Sequence, residues 1–254
     1  SQELCIIATG SKDPVWIKAL EEGKDLHSVC ADLVYGQEWK NAAEVGCSYY
    51  AYANLGGGTE RAQLKCKCKE HKRLRTNVKS INFGLAYGMG PNKLADTLLI
   101  SNNEAERLIK KYFTAFPAIK NFLESLANYG KVNGHIKTYA PYRRIRWFEE
   151  WNGINTDNAV MSKIERASKN TPIQGSGADM CKSALIMVRD HIYHNKLPVK
   201  IVMTVHDQID TIVHESYADT WKYTLQDIME TSTLDIIPSG LLKAETEIST
   251  VWKK

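Results

Sequence analysis

The chain has 254 residues, 43% apolar and 24% charged, with 33 basic against 29 acidic side chains and a net charge of +4. That size accommodates one or two domains with a packed core, and the composition excludes a disordered or fibrous chain. No apolar run reaches the roughly eighteen residues of a membrane span and the start is polar, so neither a span nor a signal peptide is expected and the protein is read as cytoplasmic.

In chain order, Ser1-Gln-Glu3-Leu-Cys-Ile-Ile-Ala8 reads as a polar start running into a buried strand or helix. Helices are expected over residues 13–36, 72–97, 103–128, 157–170, 173–195 and 216–231, and strands over 132–147, 200–205, 208–213 and 241–252. Pro117 should divide the third helix, and Pro172 should end or kink a helix just beyond Asn170. Helices fill the first half and antiparallel strands the second, which is an α+β pattern.

Residues 40–71 read as an insertion, with a flexible turn at Gly56-Gly57-Gly58 followed by Cys66-Lys-Cys68-Lys-Glu-His71. Together with Cys47 these supply four zinc-type ligands, Cys47, Cys66, Cys68 and His71. The Cys-x-Cys spacing is tighter than the usual two-residue gap, and unligated thiols in a basic loop are the alternative. In a reducing compartment all six cysteines, with Cys5, Cys30 and Cys181, are expected as free thiols.

Arg75, Lys79, Phe83 and Tyr87 follow at four-residue intervals, with glycines after each aromatic residue. Each step of four advances about 40° around a helix, so the four side chains fan across one face. Two cations suit a triphosphate whose charge grows during phosphoryl transfer, and two aromatic planes suit a sugar and a base. Taken singly, each residue also fits an ordinary amphipathic helix with a solvated basic end. Basic residues cluster around this helix, from Arg61 and Lys65 through Lys67, Lys69, Lys72 and Arg73, and again at Arg143, Arg144 and Arg146. Such patches suit a phosphate backbone, although a solvated face accounts for several of them.

Further on, Arg166, Asn170 and Gln174 recur at the same interval. Their guanidinium and amide groups can donate to base edges and phosphates, or can cap helices and tie a loop. Lys200-Ile-Val-Met-Thr-Val205 and Gln208-Ile-Asp-Thr-Ile-Val213 flank His206-Asp207, a hairpin with a carboxylate at its tip. Two strands would hold that carboxylate rigidly enough to ligate a metal, whereas a plain surface turn would also favour Asp.

The string Arg75, Lys79, Phe83-Gly84, Tyr87-Gly88 resembles the fingers-helix motif of family-A (DNA polymerase I-like) DNA polymerases. Val205-His206-Asp207 resembles that family's palm motif, and residues 165–175 resemble its primer-template contact helix. Ser1 to Ala8 resembles the tail of its first palm motif, with Cys5 where the family usually has Arg. Asp25-Leu-His27 resembles an element whose His touches the incoming triphosphate.

The resemblance covers nearly the whole chain apart from the insertion, and it implies an incomplete right-hand polymerase fold. Palm would begin at residues 1–12, fingers would span 13–131 and palm would resume over 132–254. It further implies template-directed DNA synthesis by nucleotidyl transfer from a dNTP to a primer 3′-hydroxyl, with two Mg²⁺ ions. Arg75 and Lys79 would hold the triphosphate and serve catalysis, and Lys79 would protonate pyrophosphate. Phe83 and Tyr87 would shape the sugar and base pocket, Glu3 would exclude a 2′-hydroxyl, and Asp207 would bind metal. His27 would touch the nucleotide, while His206, Arg166, Asn170 and Gln174 would contact primer-template DNA.

The family's other metal-binding Asp would precede Ser1. A second polypeptide carrying it, together with the thumb and in some arrangements an exonuclease domain, is the expected partner, and without it this chain should be inactive. The start at Ser1 reads as a processed, engineered or spliced product, in a bacterial or phage-infected cell. A single-subunit RNA polymerase-like enzyme, which shares a Lys followed by Tyr-Gly and a palm His-Asp, and a non-catalytic DNA-binding module are the alternatives.

Overall fold

The computed structural model of the chain describes residues 2–49, 66–238 and 240–252. The predicted glycine turn at 56–58, with Arg61 and Lys65, lies outside the described residues. The apolar run near the start forms α1 (Gln2–Ser11), with Leu4 to Ala8 buried, so a helix and not a strand takes this segment. The chain divides into two compact units, one of Gly10–Ile136 with Arg146–Asn170 and the other of Ser1–Thr9, Lys137–Ile145 and Thr171–Lys254.

The first unit is mainly helical. Asp13 opens α2 (Pro14–Glu21) by accepting the Val15 and Trp16 N–H groups, each at 3.1 Å, and Pro14 occupies the first turn, where it has no hydrogen bond to lose. Gly23 at φ 66° turns the chain and Asp25 caps α3 (Leu26–Tyr35), so the single helix expected over 13–36 is two. A short α4 (Gln37–Asn41) follows.

The next helix, α5 (Lys69–Ala86), ends in a turn that satisfies its last carbonyls: the Met89 N–H donates to Gly84 O at 2.7 Å and the Gly88 N–H to Leu85 O at 3.0 Å. That geometry needs a left-handed residue, which Gly88 supplies at φ 75°. Pro91 then opens α6 (Pro91–Leu98), so the expected helix over 72–97 is also divided. A capping box of Ser101 and Glu104 starts α7 (Asn102–Ala115), and Pro117 starts α8 (Pro117–Asn133), a division at the proline as expected. Trp16, Leu74, Ile81, Leu94, Tyr112, Phe116 and Ile119 form the fully buried centre of this unit.

The strand expected over 132–147 is a small hairpin, β1 (His135–Lys137) against β2 (Ile145–Trp147). After it comes α9 (Asn158–His194), 37 residues long and helical through Pro172, where the sequence predicted an end or kink. Ile164 and Ser168 before the proline and Ile173, Ser176 and Met180 after it are buried. Burial of that stripe outweighs the single lost hydrogen bond and the ring clash, a cost of about 3 kcal/mol.

In the second unit β3 (Val199–Val205) and β4 (Gln208–Val213) pair antiparallel from Val199↔Val213 to Val205↔Gln208, which leaves His206-Asp207 as a two-residue tip. Ala184 and Val188 of α9 and Trp221, Leu225 and Ile228 of α10 (Ala218–Thr231) cover one side of this hairpin around Val199 and Ile209. The segment 241–252, predicted as a strand, pairs with no strand among the described residues. Its alternating residues lack the ladder partner that would make an extended segment a strand.

Candidate active site

One face of α5 forms the wall of a cavity of about 690 Å³. Thr76, Lys79, Ser80, Phe83 and Tyr87 line it from the helix and its cap, and Lys93 and Arg166 line it from elsewhere in the same unit. The spacing is that of a single helical stripe. Lys79 is exposed, Phe83 and Tyr87 are half-buried, and the two rings lie near-parallel at 6.4 Å and 25°. Gly88 lets Arg166 approach, since a Cβ at this position would stand 2.8 Å from Arg166 Cγ.

Arg75 is absent from that lining. Its Nε donates to Asp25 Oδ2 at 2.6 Å and its Nη2 to Asp25 Oδ1 at 2.7 Å, a two-pronged pair whose carboxylate side chain is only 7% exposed. Asp25 also accepts from the Ser28 N–H and hydroxyl. Burial alone would raise the Asp25 carboxyl, but the Arg75 and Ser28 hydrogen bonds outweigh it and hold the group below the ordinary range. Of the two cations the sequence put on one face, Lys79 faces the cavity and Arg75 is held by an acidic partner fifty positions away in the chain.

His27 is buried beside the same helix, its ring 5.8 Å from that of Phe83. The Asn82 amide nitrogen lies 3.0 Å from His27 Nδ1, which places the imidazole proton on Nε2. Burial pulls the His27 pKa down to about 4, Asp25 opposing and Arg75 and Lys79 reinforcing the shift, so the ring is neutral at pH 7. His27, Arg75, Lys79, Phe83, Tyr87, Arg166 and Asn170 thus belong to one compact unit. Arg166 is exposed, and half-buried Asn170 has an amide oxygen with no hydrogen-bond partner.

Glu3, Gln174, His206 and Asp207 belong to the other unit. Glu3 is half-buried on α1 and Gln174 is exposed on α9. His206 takes φ 55°, an uncommon backbone for a residue with a Cβ, and its carbonyl accepts from Cys181 Sγ at 3.2 Å. Asp207 is exposed at the hairpin tip and lines a cavity of about 1040 Å³ together with Asp210. Asp210 accepts from Gln208 Nε2 at 2.6 Å through one oxygen, while its other oxygen is buried and unpaired.

The ligand atoms of Cys47, Cys66, Cys68 and His71 all lie within 4.8 Å of one another, although the Cys-x-Cys spacing is tighter than usual for zinc.

Three pairings escaped the sequence reading. Asp25 was noted only as the neighbour of His27, yet it positions Arg75. Asn82, buried on α5 beside the stripe, orients His27, and its place one residue before Phe83 was the available signal. Arg144, in the basic cluster with Arg143 and Arg146, donates to buried Asp179 at 2.7 Å and to Gly175 O at 3.1 Å.

Comparison with known proteins agrees with the resemblance. The family model described as "DNA polymerase family A" matches residues 61–254. The chain is 30% identical over 252 residues to DNA polymerase I of Streptococcus pneumoniae strain R6, covering 99% of this chain and 25% of that protein. It is 32% identical over 253 residues to DNA polymerase I of Borreliella burgdorferi, covering 98% of this chain and 24% of that protein. Among solved structures it is similar to the POL domain of Pol1 from M. smegmatis in complex with DNA primer-template and dNTP. There the TM-score is 0.75 at 27% identity, over 94% of this chain and 36% of that one.

The chain therefore spans about a quarter of the length of these curated relatives. Its helices and small antiparallel hairpins match a fragment of a DNA polymerase I polymerase domain. A model match over most of the chain, with relatives aligned along its whole length, means that the chain belongs to DNA polymerase family A.

Proposed function

We propose that this chain is the fingers and palm portion of a DNA polymerase that adds dNTPs to a primer 3′-hydroxyl on a DNA template. The observation that carries this reading is the α5 cavity, which gathers an exposed ammonium, two stacked aromatic rings and a guanidinium in one concave surface. We assign residues 13–131 to the fingers and residues 1–12 and 132–254 to the palm. Of the two compact units, one holds Ser1–Thr9, Lys137–Ile145 and Thr171–Lys254, in keeping with the palm, while the other groups Arg146–Asn170 with the residues assigned to the fingers.

Lys79 supplies a mobile positive charge for the triphosphate and a proton for the departing pyrophosphate, a task suited to an exposed ammonium at a cavity rim. Arg75 spends two of its five N–H donors on Asp25, and the three left can meet a phosphate from a pre-oriented guanidinium. Neutral His27 contributes a hydrogen bond from Nε2 and no charge. Phe83 and Tyr87 offer planes to the sugar and base, and Glu3 excludes the ribose hydroxyl. His206, Arg166, Asn170 and Gln174 meet the primer-template.

An exposed carboxylate on a two-strand tip, with a second carboxylate of unpaired oxygen on the same cavity wall, fits a hard cation that prefers oxygen. Asp207 would hold Mg²⁺, which when bound lowers the barrier by neutralising charge on the attacking and leaving oxygens. The second metal carboxylate, the thumb and any exonuclease would be supplied from outside residues 1–254, by the same polypeptide or by a second one, since the chain spans about a quarter of the relatives' length. Val202, Met203 and Ile212 are 57%, 38% and 65% exposed on β3–β4, an apolar surface consistent with cover by such a segment.

The test is primer extension with dNTPs and, separately, rNTPs, using the chain joined to or mixed with the remaining polymerase regions. Asp207→Ala should abolish extension and leave DNA binding nearly intact. Undiminished extension by that variant overturns the palm assignment, and a preference for rNTPs overturns the choice of substrate.

A further inference from the structure

We propose that Cys47, Cys66, Cys68 and His71 form a structural zinc site that fixes the start of α5. Sulfur and nitrogen ligands on one tetrahedral zinc stand about 3.5 Å apart and two sulfurs about 3.8 Å apart, given Zn–S near 2.3 Å and Zn–N near 2.0 Å. Here Cys66 Sγ is 3.0 Å and Cys47 Sγ 3.5 Å from His71 Nδ1, and all four ligand atoms fall within 4.8 Å of one another. A small contraction or expansion centres a metal among them.

The surroundings are those of a metal ligand set. His71 is 1% exposed, its ring stacks on Trp39 at 3.9 Å, and its Nε2 lies 2.6 Å from the Trp39 carbonyl. A carbonyl only accepts, so the ring proton sits on Nε2 and the Nδ1 lone pair faces the sulfurs, the role a backbone acceptor plays behind a metal-bound histidine. The Glu44 N–H points at Cys68 Sγ at 3.4 Å, and the Glu44 carboxylate accepts the Lys69 N–H at 2.8 Å. Cys68 is the N-cap residue of α5, an end whose backbone N–H groups favour an anionic ligand.

Three thiolates and a neutral imidazole on Zn²⁺ leave a net charge of about −1, and Lys67, Lys69 and Lys72 flank the cluster. Binding releases the three thiol protons to solvent. Four protein ligands close the coordination sphere, so the metal is structural and has no open position for chemistry. Cys47 and Cys66 bracket residues 48–65 in sequence, so the metal ties together two distant stretches of chain beside the helix that carries Lys79 and Phe83.

The proposal stands apart from the polymerase reading, because metal content is read without DNA or nucleotide. Protein purified without chelator and dialysed should retain about one equivalent of zinc, and Cys66→Ser, Cys68→Ser or His71→Ala should retain less than about a tenth, whereas Cys181→Ser should keep it all. If the ligand variants do not fold, wild-type protein decides: chelation should expose Cys47, Cys66 and Cys68 to alkylation, and added Zn²⁺ should protect all three. Three outcomes overturn the site: reduced wild-type protein that takes up no added zinc, zinc retained in folded ligand variants, or a disulfide among these cysteines in protein as purified.

Discussion

Removing the Asp25 carboxylate probes the contact that most changes the reading of α5. Asp25→Ala leaves Arg75 without its two short hydrogen bonds and α3 without its cap. Breaking a buried pair costs about 3–5 kcal/mol, and the low end applies because the Arg75 side chain is 25% exposed and can turn toward water. Of the resulting loss of about 3 kcal/mol, about 1 kcal/mol is the lost cap. Arg75→Ala strands a carboxylate that is 7% exposed, so it too should cost about 3 kcal/mol.

The double variant should lose about 4 kcal/mol, not 6, a coupling of about 2 kcal/mol. Urea unfolding of the four proteins measures this directly. Single-variant losses that add to within about 0.5 kcal/mol would refute the pairing.

Two further perturbations follow from the geometry. Gly88→Ala forces a methyl-bearing residue into φ 75° and against Arg166 Cγ at 2.8 Å, so it should destabilise by about 1–3 kcal/mol and raise the KM for dNTP; unchanged stability would contradict the Schellman turn. His27 has a folded pKa of about 4, below the ordinary 6.5, so the unfolded chain takes up a proton that the folded one refuses. Stability is full above about pH 6.5 and falls as pH drops toward 4, by up to about 3 kcal/mol, and His27→Gln should remove that slope. An identical pH profile in the variant would exclude a buried neutral imidazole.

What the sequence made legible was local. The stripe of Lys79, Phe83 and Tyr87 follows from helical period, the His206-Asp207 tip from strand alternation, and the division at Pro117 from a missing donor. Where distant residues decide, reading the sequence did less well. The pair of Arg75 with Asp25 spans fifty residues and that of Arg144 with Asp179 thirty-five, so neither partner shows in local spacing. Pro172 continues a helix because residues on both sides are buried, a balance of packing against one hydrogen bond that local rules do not weigh. The segment 241–252 has the composition of a strand, but a strand is defined by its partner.

The account rests on the α5 cavity receiving the incoming nucleotide. Single-turnover incorporation of one dNTP on a primer-template, followed as dNTP concentration is varied, compares the wild-type polymerase with Lys79→Ala. A loss on the order of 10²-fold in the ratio of incorporation rate to dNTP dissociation constant is predicted, because the ammonium meets charge that grows in the transition state. An unchanged dNTP dependence and rate in Lys79→Ala would place the nucleotide elsewhere and contradict the account.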